Sequence, residues 1–131
     1  MSGQTNLSEV LSTLQVSCDN VEYGFASVKN IPANFDNHAL GTFRENEGLT
    51  IIATKDYFST SNIKYEGSYA KLTIEVHTSL ELVGLTAVLT RKLAENNISA
   101  NVISAYFHDY IFVQYDIRQK AIEAINSLKN S

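Results

Sequence analysis

The chain has 131 residues, 44% hydrophobic and 18% charged, which suits one globular unit burying roughly two-thirds of its unfolded surface and excludes fibrous or disordered classes. Its 14 acidic residues outnumber 10 basic ones, and the formal net charge of -4 speaks against a nucleic-acid partner held by its phosphates. A lone cysteine, Cys18, permits no internal disulfide; with no leader-like start and no apolar run near the roughly 20 residues of a membrane span, the expectation is a cytoplasmic protein without a membrane partner.

Leu7, Val10, Leu11 and Leu14 recur at helical spacing, so a first helix is predicted there, capped by Thr5 or Asn6. Residues Val21 to Val28 alternate in the manner of a strand, and the polar stretch from Lys29 to His38, which holds the single proline Pro32, reads as a loop. Ala39 to Arg44 and Leu49 to Thr54 flank the turn sequence Glu45-Asn-Glu-Gly48 and predict a hairpin. A short helix is expected over Lys55 to Asn62. Tyr69 to His77 reads as a long strand, with Leu72, Ile74 and Val76 on one face and Thr73, Glu75 and His77 on the other.

The clearest periodicity follows, because Leu82, Leu85, Val88, Leu89 and Leu93 share one helical face. Asn96-Asn97 is a left-handed stop for that helix. Ile98 to Phe107 carries apolar residues on both parities, which predicts a strand buried on two sides, turning at His108-Asp109 into a strand from Tyr110 to Tyr115. Ala121, Ile122, Ile125 and Leu128 mark a closing helix. From residue 70 the order is therefore β-α-β-β-α. Tyr106, Phe107, Tyr110, Phe112 and Tyr115 crowd one hairpin, more than a single sheet face under helices needs, so the other face is wet, packed on the first half of the chain, which is the simplest answer, or buried in a homo-oligomer.

That order, with Gly84 between strand and helix, Leu93 near the helix end and Asn97-Ile98 entering the next strand, resembles the ACT domain, a βαββαβ ferredoxin-like regulatory module. Gly41 to Thr50, Tyr65-Glu-Gly67, Val76 to Leu80 and Phe107-His-Asp109 are similar to small bacterial proteins with two ACT-like halves. The resemblance implies an α+β, ferredoxin-like ACT fold with two ACT-like halves in one compact unit, an N-terminal half over 1–68 and an ACT domain over 69–131. The sequence departs from many amino-acid-sensing members, since Leu80-Glu-Leu-Val-Gly84 lacks the usual proline before glycine. The N-terminal half also starts with a helix and a final strand after residue 128 is missing, so strands of the two halves are expected to share one framework.

The resemblance further implies an effector site between ACT units, formed by a glycine-bearing loop and a second strand. It nominates Leu82, Val83, Gly84 and Leu85 in the loop and Asn101, Val102, Ile103 and Ser104 on the strand; His77, at the strand end in line with Thr73 and Glu75, reads as a structural histidine first and as a hydrogen-bond partner for a ligand near that loop second. A glycine allows close backbone approach, and free N–H groups at a helix start favour a carboxylate. The competing reading makes Gly84 a helix-entry residue and Leu82 and Leu85 core, with Thr78-Ser-Leu-Glu81 as a capping box. His108 and Asp109 are adjacent and point apart, which suits a turn better than a catalytic dyad, and His38, His77 and His108 lack metal-ligand spacing. No catalytic set assembles. The expectation is a non-enzymatic, cofactor-free module that binds a small-molecule ligand, an amino acid, as a homo-oligomer and signals to a regulated protein partner; the alternative is a structural or oligomerisation module with no ligand.

Overall fold

The computed structural model describes residues 3–76 and 83–130. Helix α1, Gly3–Ser12, begins upstream of the expected cap, and Val10, Leu11 and Leu14 are buried as the spacing requires. A strand that the sequence reading missed, β1 over Gln15–Cys18, follows at once. Next come β2 (Tyr23–Val28) and α2 (Phe35–His38), a single helical turn inside the stretch expected to be loop. The hairpin forms as expected from β3 (Gly41–Glu45) and β4 (Gly48–Thr54), with Glu45 opposite Gly48. A side chain on Gly48 would meet the Val28 carbonyl oxygen at 2.8 Å, so the close approach of β2 requires glycine there. Helix α3, Lys55–Thr60, starts at Thr54, whose hydroxyl accepts a hydrogen bond from the Tyr57 N–H at 3.1 Å.

The second half runs β5 (Glu66–Glu75), α4 (Leu85–Glu95), β6 (Asn101–Ser104), β7 (Asp109–Gln114) and α5 (Arg118–Asn126), with short 3-10 turns on either side of α5. Helix α4 ends as the paired asparagines suggest. Asn97 is left-handed at φ 61°, its N–H reaches the Ala94 carbonyl, and the Ile98 N–H reaches Leu93, with both apolar side chains buried. Those two bonds are the Schellman closure, which satisfies carbonyls that a helix end otherwise leaves open.

All seven strands join one antiparallel sheet in the order β3-β4-β2-β5-β7-β6, with β1 also paired to β5. The long strand β5 serves both sides. Its start pairs with β2, and its remainder pairs with β7 on one edge and β1 on the other. In consequence β2-α2-β3-β4-α3-β5 completes one βαββαβ unit. The second unit uses β5-α4-β6-β7-α5 and takes its last strand, β1, from the start of the chain, which gives the strand order β1-β5-β7-β6. β1 thereby fills the place of that unit's last strand, and the two ferredoxin-like halves share one framework.

The helices cover one face. Leu72, Ile74, Ile111 and Val113 from the sheet pack there with Leu89 and Leu93 of α4 and Ile125 of α5, and each full burial of this kind contributes about 1.5–3 kcal/mol. A smaller cluster, Ala26, Ile51, Ala53, Tyr57 and Phe58, lies under α3. Among the described residues no helix lies on the opposite face, yet Tyr23, Ile52 and Phe112 are buried on it because the sheet curls and brings strands of both halves together. This is where part of the aromatic excess goes, against the first half of the chain.

Two expectations are corrected. Strand β6 is not buried on two sides: Ile98, which supplied much of the apolar signal, closes α4 before the strand begins, and Asn101, Ile103 and Ser104 are exposed. The turn after it is not His108-Asp109 but four residues, Ala105 to His108, closed by the Ala105 N–H on the His108 carbonyl; Asp109 already pairs with Ser104.

Candidate functional site

The nominated loop centres on the start of α4. Gly84 occupies the N-cap at φ 95°, a left-handed value that side-chain-bearing residues rarely adopt, and its carbonyl accepts the first helical bond from Val88. Among the described residues a Cβ placed there would meet only Leu7 of α1, at 3.8 Å, an ordinary van der Waals contact. Being glycine it offers no side-chain cap, and the first N–H groups of α4 have no partner within the helix. Val83 beside it is 86% exposed, whereas the Leu85 side chain belongs to the core and leaves only its backbone for other work. His77 and Leu82, like the proposed capping box at 78–81, lie outside the described residues.

On β6 the four nominated residues divide by face. Val102 packs against the helix-side core, while Asn101 and Ile103 stand opposite Phe112 and Tyr110 on the face without helices. Ser104, at the strand end, is exposed. Within a single chain the loop and the strand are thus separate surfaces, the loop against α1 and Ile103 across the sheet. His108 faces the end of β5, its Nε2 3.7 Å from a Glu75 carboxylate oxygen, and it does not pair with Asp109.

A second concavity, not anticipated as a unit, lies on the face without helices. Curling brings Leu40 and Gly41, at one edge of the sheet, toward Ile103 and Ala105 at the other, over a floor that includes Ile52, Lys71, Tyr110 and Phe112. The concavity is partly open and its volume is about 250 Å³. Lys71 Nζ sits 3.4 Å from Asp19 and within 6 Å of the Tyr23 and Tyr110 ring centres, at 5.4 and 5.7 Å. Burial pushes the Asp19 carboxyl up, but hydrogen bonds from the Tyr23 hydroxyl and the Val21 N–H, with the Lys71 charge, outweigh it and hold the group below its ordinary value. Burial and the Asp19 carboxylate together push the Tyr23 hydroxyl up. Of the residues around this cavity the sequence reading had nominated only Ile103. The alternation Tyr110, Phe112 against Ile111, Val113 was the available signal for a second apolar face.

Known proteins resemble both halves. One ACT domain family model matches residues 2–70 and another matches 64–127. Over 98% of this chain and 99% of the other, the fold matches the crystal structure of a Vibrio cholerae protein of unknown function, described as a possible transport protein, with a TM-score of 0.87 and 35% identity. An Agrobacterium tumefaciens protein matches with a TM-score of 0.74 and 18% identity over 88% of this chain and 89% of that one. The regulatory subunit of aspartate kinase from Thermus thermophilus, in ligand-free form, shares the fold at a TM-score of 0.60 and 11% identity, over 88% of this chain and 98% of its own. No curated protein sequence matches the chain. Among the described residues no helix is long and apolar enough to cross a membrane. With a family model over more than half its length and a second over the remainder, the chain belongs to the ACT domain family, whose members are generally regulatory, ligand-binding modules.

Proposed function

We propose that the protein is a regulatory module that binds an amino acid at a seam between ACT units, with the start of α4 on one side and β6 of a neighbouring unit on the other. The observation that carries the reading is Gly84: a left-handed N-cap where, among the described residues, an added carbon would meet only Leu7, next to exposed Val83 and followed by amides that have no partner inside the helix. Amides at a helix start, with the positive end of the helix dipole, hold a carboxylate and favour it by about 0.3–1 kcal/mol when exposed and more when partly buried. Leu85 takes part through its backbone, and Asn101, Ile103 and Ser104 are exposed and available to a neighbouring unit. Leu82, His77 and Val102 complete the proposed set, and the division at 1–68 and 69–131 is part of the same reading, with β1 lent to the second unit and β5 shared by both.

The mechanism is linkage. A ligand that fits one packing of two units better than another shifts the equilibrium by its difference in affinity, and a coupling of about 1–3 kcal/mol reaches a regulated partner protein. The experiment is a thermal-shift screen of the amino acids on the assembled protein, because a ligand at about 100 times its dissociation constant adds roughly 2.7 kcal/mol of stability. A shift with one or a few amino acids supports the reading. No shift with any of them returns the protein to the second reading, a ligand-free oligomerisation module, which the exposed Tyr106 and Phe107 at the β6–β7 turn favour.

A further inference from the structure

We infer that the cavity between the two sheet edges is a second binding site, which takes a small carboxylic acid with an apolar body and no ammonium group. This rests on features separate from the start of α4 and stands whether or not that loop binds an amino acid. The walls come from both halves of the chain, Leu40 and Gly41 on one side and Ile103 and Ala105 on the other, so the pocket exists only because the sheet curls. Its surface is mainly apolar, and about 250 Å³ lies below the roughly 300–1,000 Å³ typical of pockets for drug-sized ligands, which limits the occupant to a small molecule.

Lys71 gives the polarity. Its side chain is only 18% exposed, and among the described residues it is the one cation lining the cavity. An ammonium group has three donors, and Asp19 engages Lys71 at 3.4 Å, which leaves capacity for a second acceptor. Asp19 does not depend on that contact, since the Tyr23 hydroxyl at 2.6 Å and the Val21 N–H at 3.2 Å also donate to it. A ligand carboxylate can therefore share Lys71 without stranding a charge. A free α-amino acid fits poorly, because its ammonium would be brought beside the Lys71 ammonium, where the nearby Asp19 carboxylate is already engaged by Lys71, the Tyr23 hydroxyl and the Val21 N–H.

The test is amide-resolved NMR of the full chain titrated with hexanoate and benzoate, and with 1-hexanol and benzyl alcohol as uncharged counterparts. The acids are expected to move the amides of Ile103, Tyr110 and Phe112 and to bind about tenfold more tightly than the alcohols. Lys71→Gln should remove that preference. Ala105→Phe, at an exposed turn position that tolerates substitution, should block all four probes and keeps the test valid if Lys71→Gln loosens the fold. Absence of binding, equal affinity for acids and alcohols, responses confined to the start of α4, or binding that survives both substitutions would overturn the inference.

Discussion

Phe112 of β7 meets Phe25 of β2 edge to face, ring centres 5.7 Å apart, although β5 runs between their strands. Tyr23 approaches the same ring at 6.0 Å, and Phe112 is left 1% exposed on a face that no helix covers. The curl of the sheet thus does for this face what helices do for the other. Phe112→Ala should lower unfolding stability by about 3–5 kcal/mol, measured in urea. In a double-mutant cycle with Phe25→Leu the coupling should be about 0.5–1.5 kcal/mol, and additivity would show that the ring contact contributes nothing beyond buried area.

Strand β5 passes from one unit to the other next to Gly67, which has φ 88°. A Cβ there would lie 2.1 Å from Tyr69 Cε2, and the Tyr69 ring packs on Phe25 at 5.2 Å. Gly67→Ala should therefore cost about 1–3 kcal/mol through strain and a displaced ring. Gly41→Ala, where the new carbon meets only Ile52 at 3.8 Å and φ is not left-handed, should stay within about 0.5 kcal/mol. Equal effects at both positions would contradict the account.

Asp19 makes stability depend on acid pH with a definite sign. Its folded pKa lies below the ordinary 3.8, so the folded chain keeps the carboxylate at pH values where the unfolded chain takes up a proton. That stability is fully present above 3.8 and is lost as pH falls through the lowered folded value. Glu22, held down by hydrogen bonds from Ser68 and Lys55, acts in the same direction. Urea midpoints compared at pH 7 and pH 3 should fall less for Asp19→Asn than for the unsubstituted protein. Identical falls would remove Asp19 from the acid limb.

The exposed edge near β6 predicts self-association. Ile103 is partly exposed on the edge strand, and Tyr106 and Phe107 are 76% and 81% exposed in the adjoining turn. Light scattering should show a mass above that of one chain at micromolar concentrations, and Ile103→Lys should shift it toward monomer. A strict monomer throughout would contradict the proposed seam between chains.

The legible parts of this fold are those whose signal is local. Leu85, Leu89 and Leu93 fix α4 by spacing alone, and Asn97 announces its end. Strand β1 was not legible, because four residues directly after a helix carry little pattern and their partners, Leu72 to Glu75, lie far along the chain. Strand β6 was misread because periodicity cannot tell that Ile98 serves a helix cap and not the strand. Gly84 could be nominated from sequence, since a glycine before a helix stands out. The cavity around Lys71 could not, because it depends on how far the sheet bends.

The central claim is that the start of α4 holds a ligand carboxylate, and Val83→Asp tests it most directly. Val83 is 86% exposed, so the substitution leaves packing intact, and an acidic residue at a helix start is itself favourable. Its charge nevertheless opposes a carboxylate at the same amides. Calorimetric titration with the amino acid that gives the largest thermal shift should show affinity reduced at least about tenfold in Val83→Asp, with the unfolding temperature of the free protein not lowered. Undiminished affinity would place the amino acid elsewhere and remove Gly84 from the site.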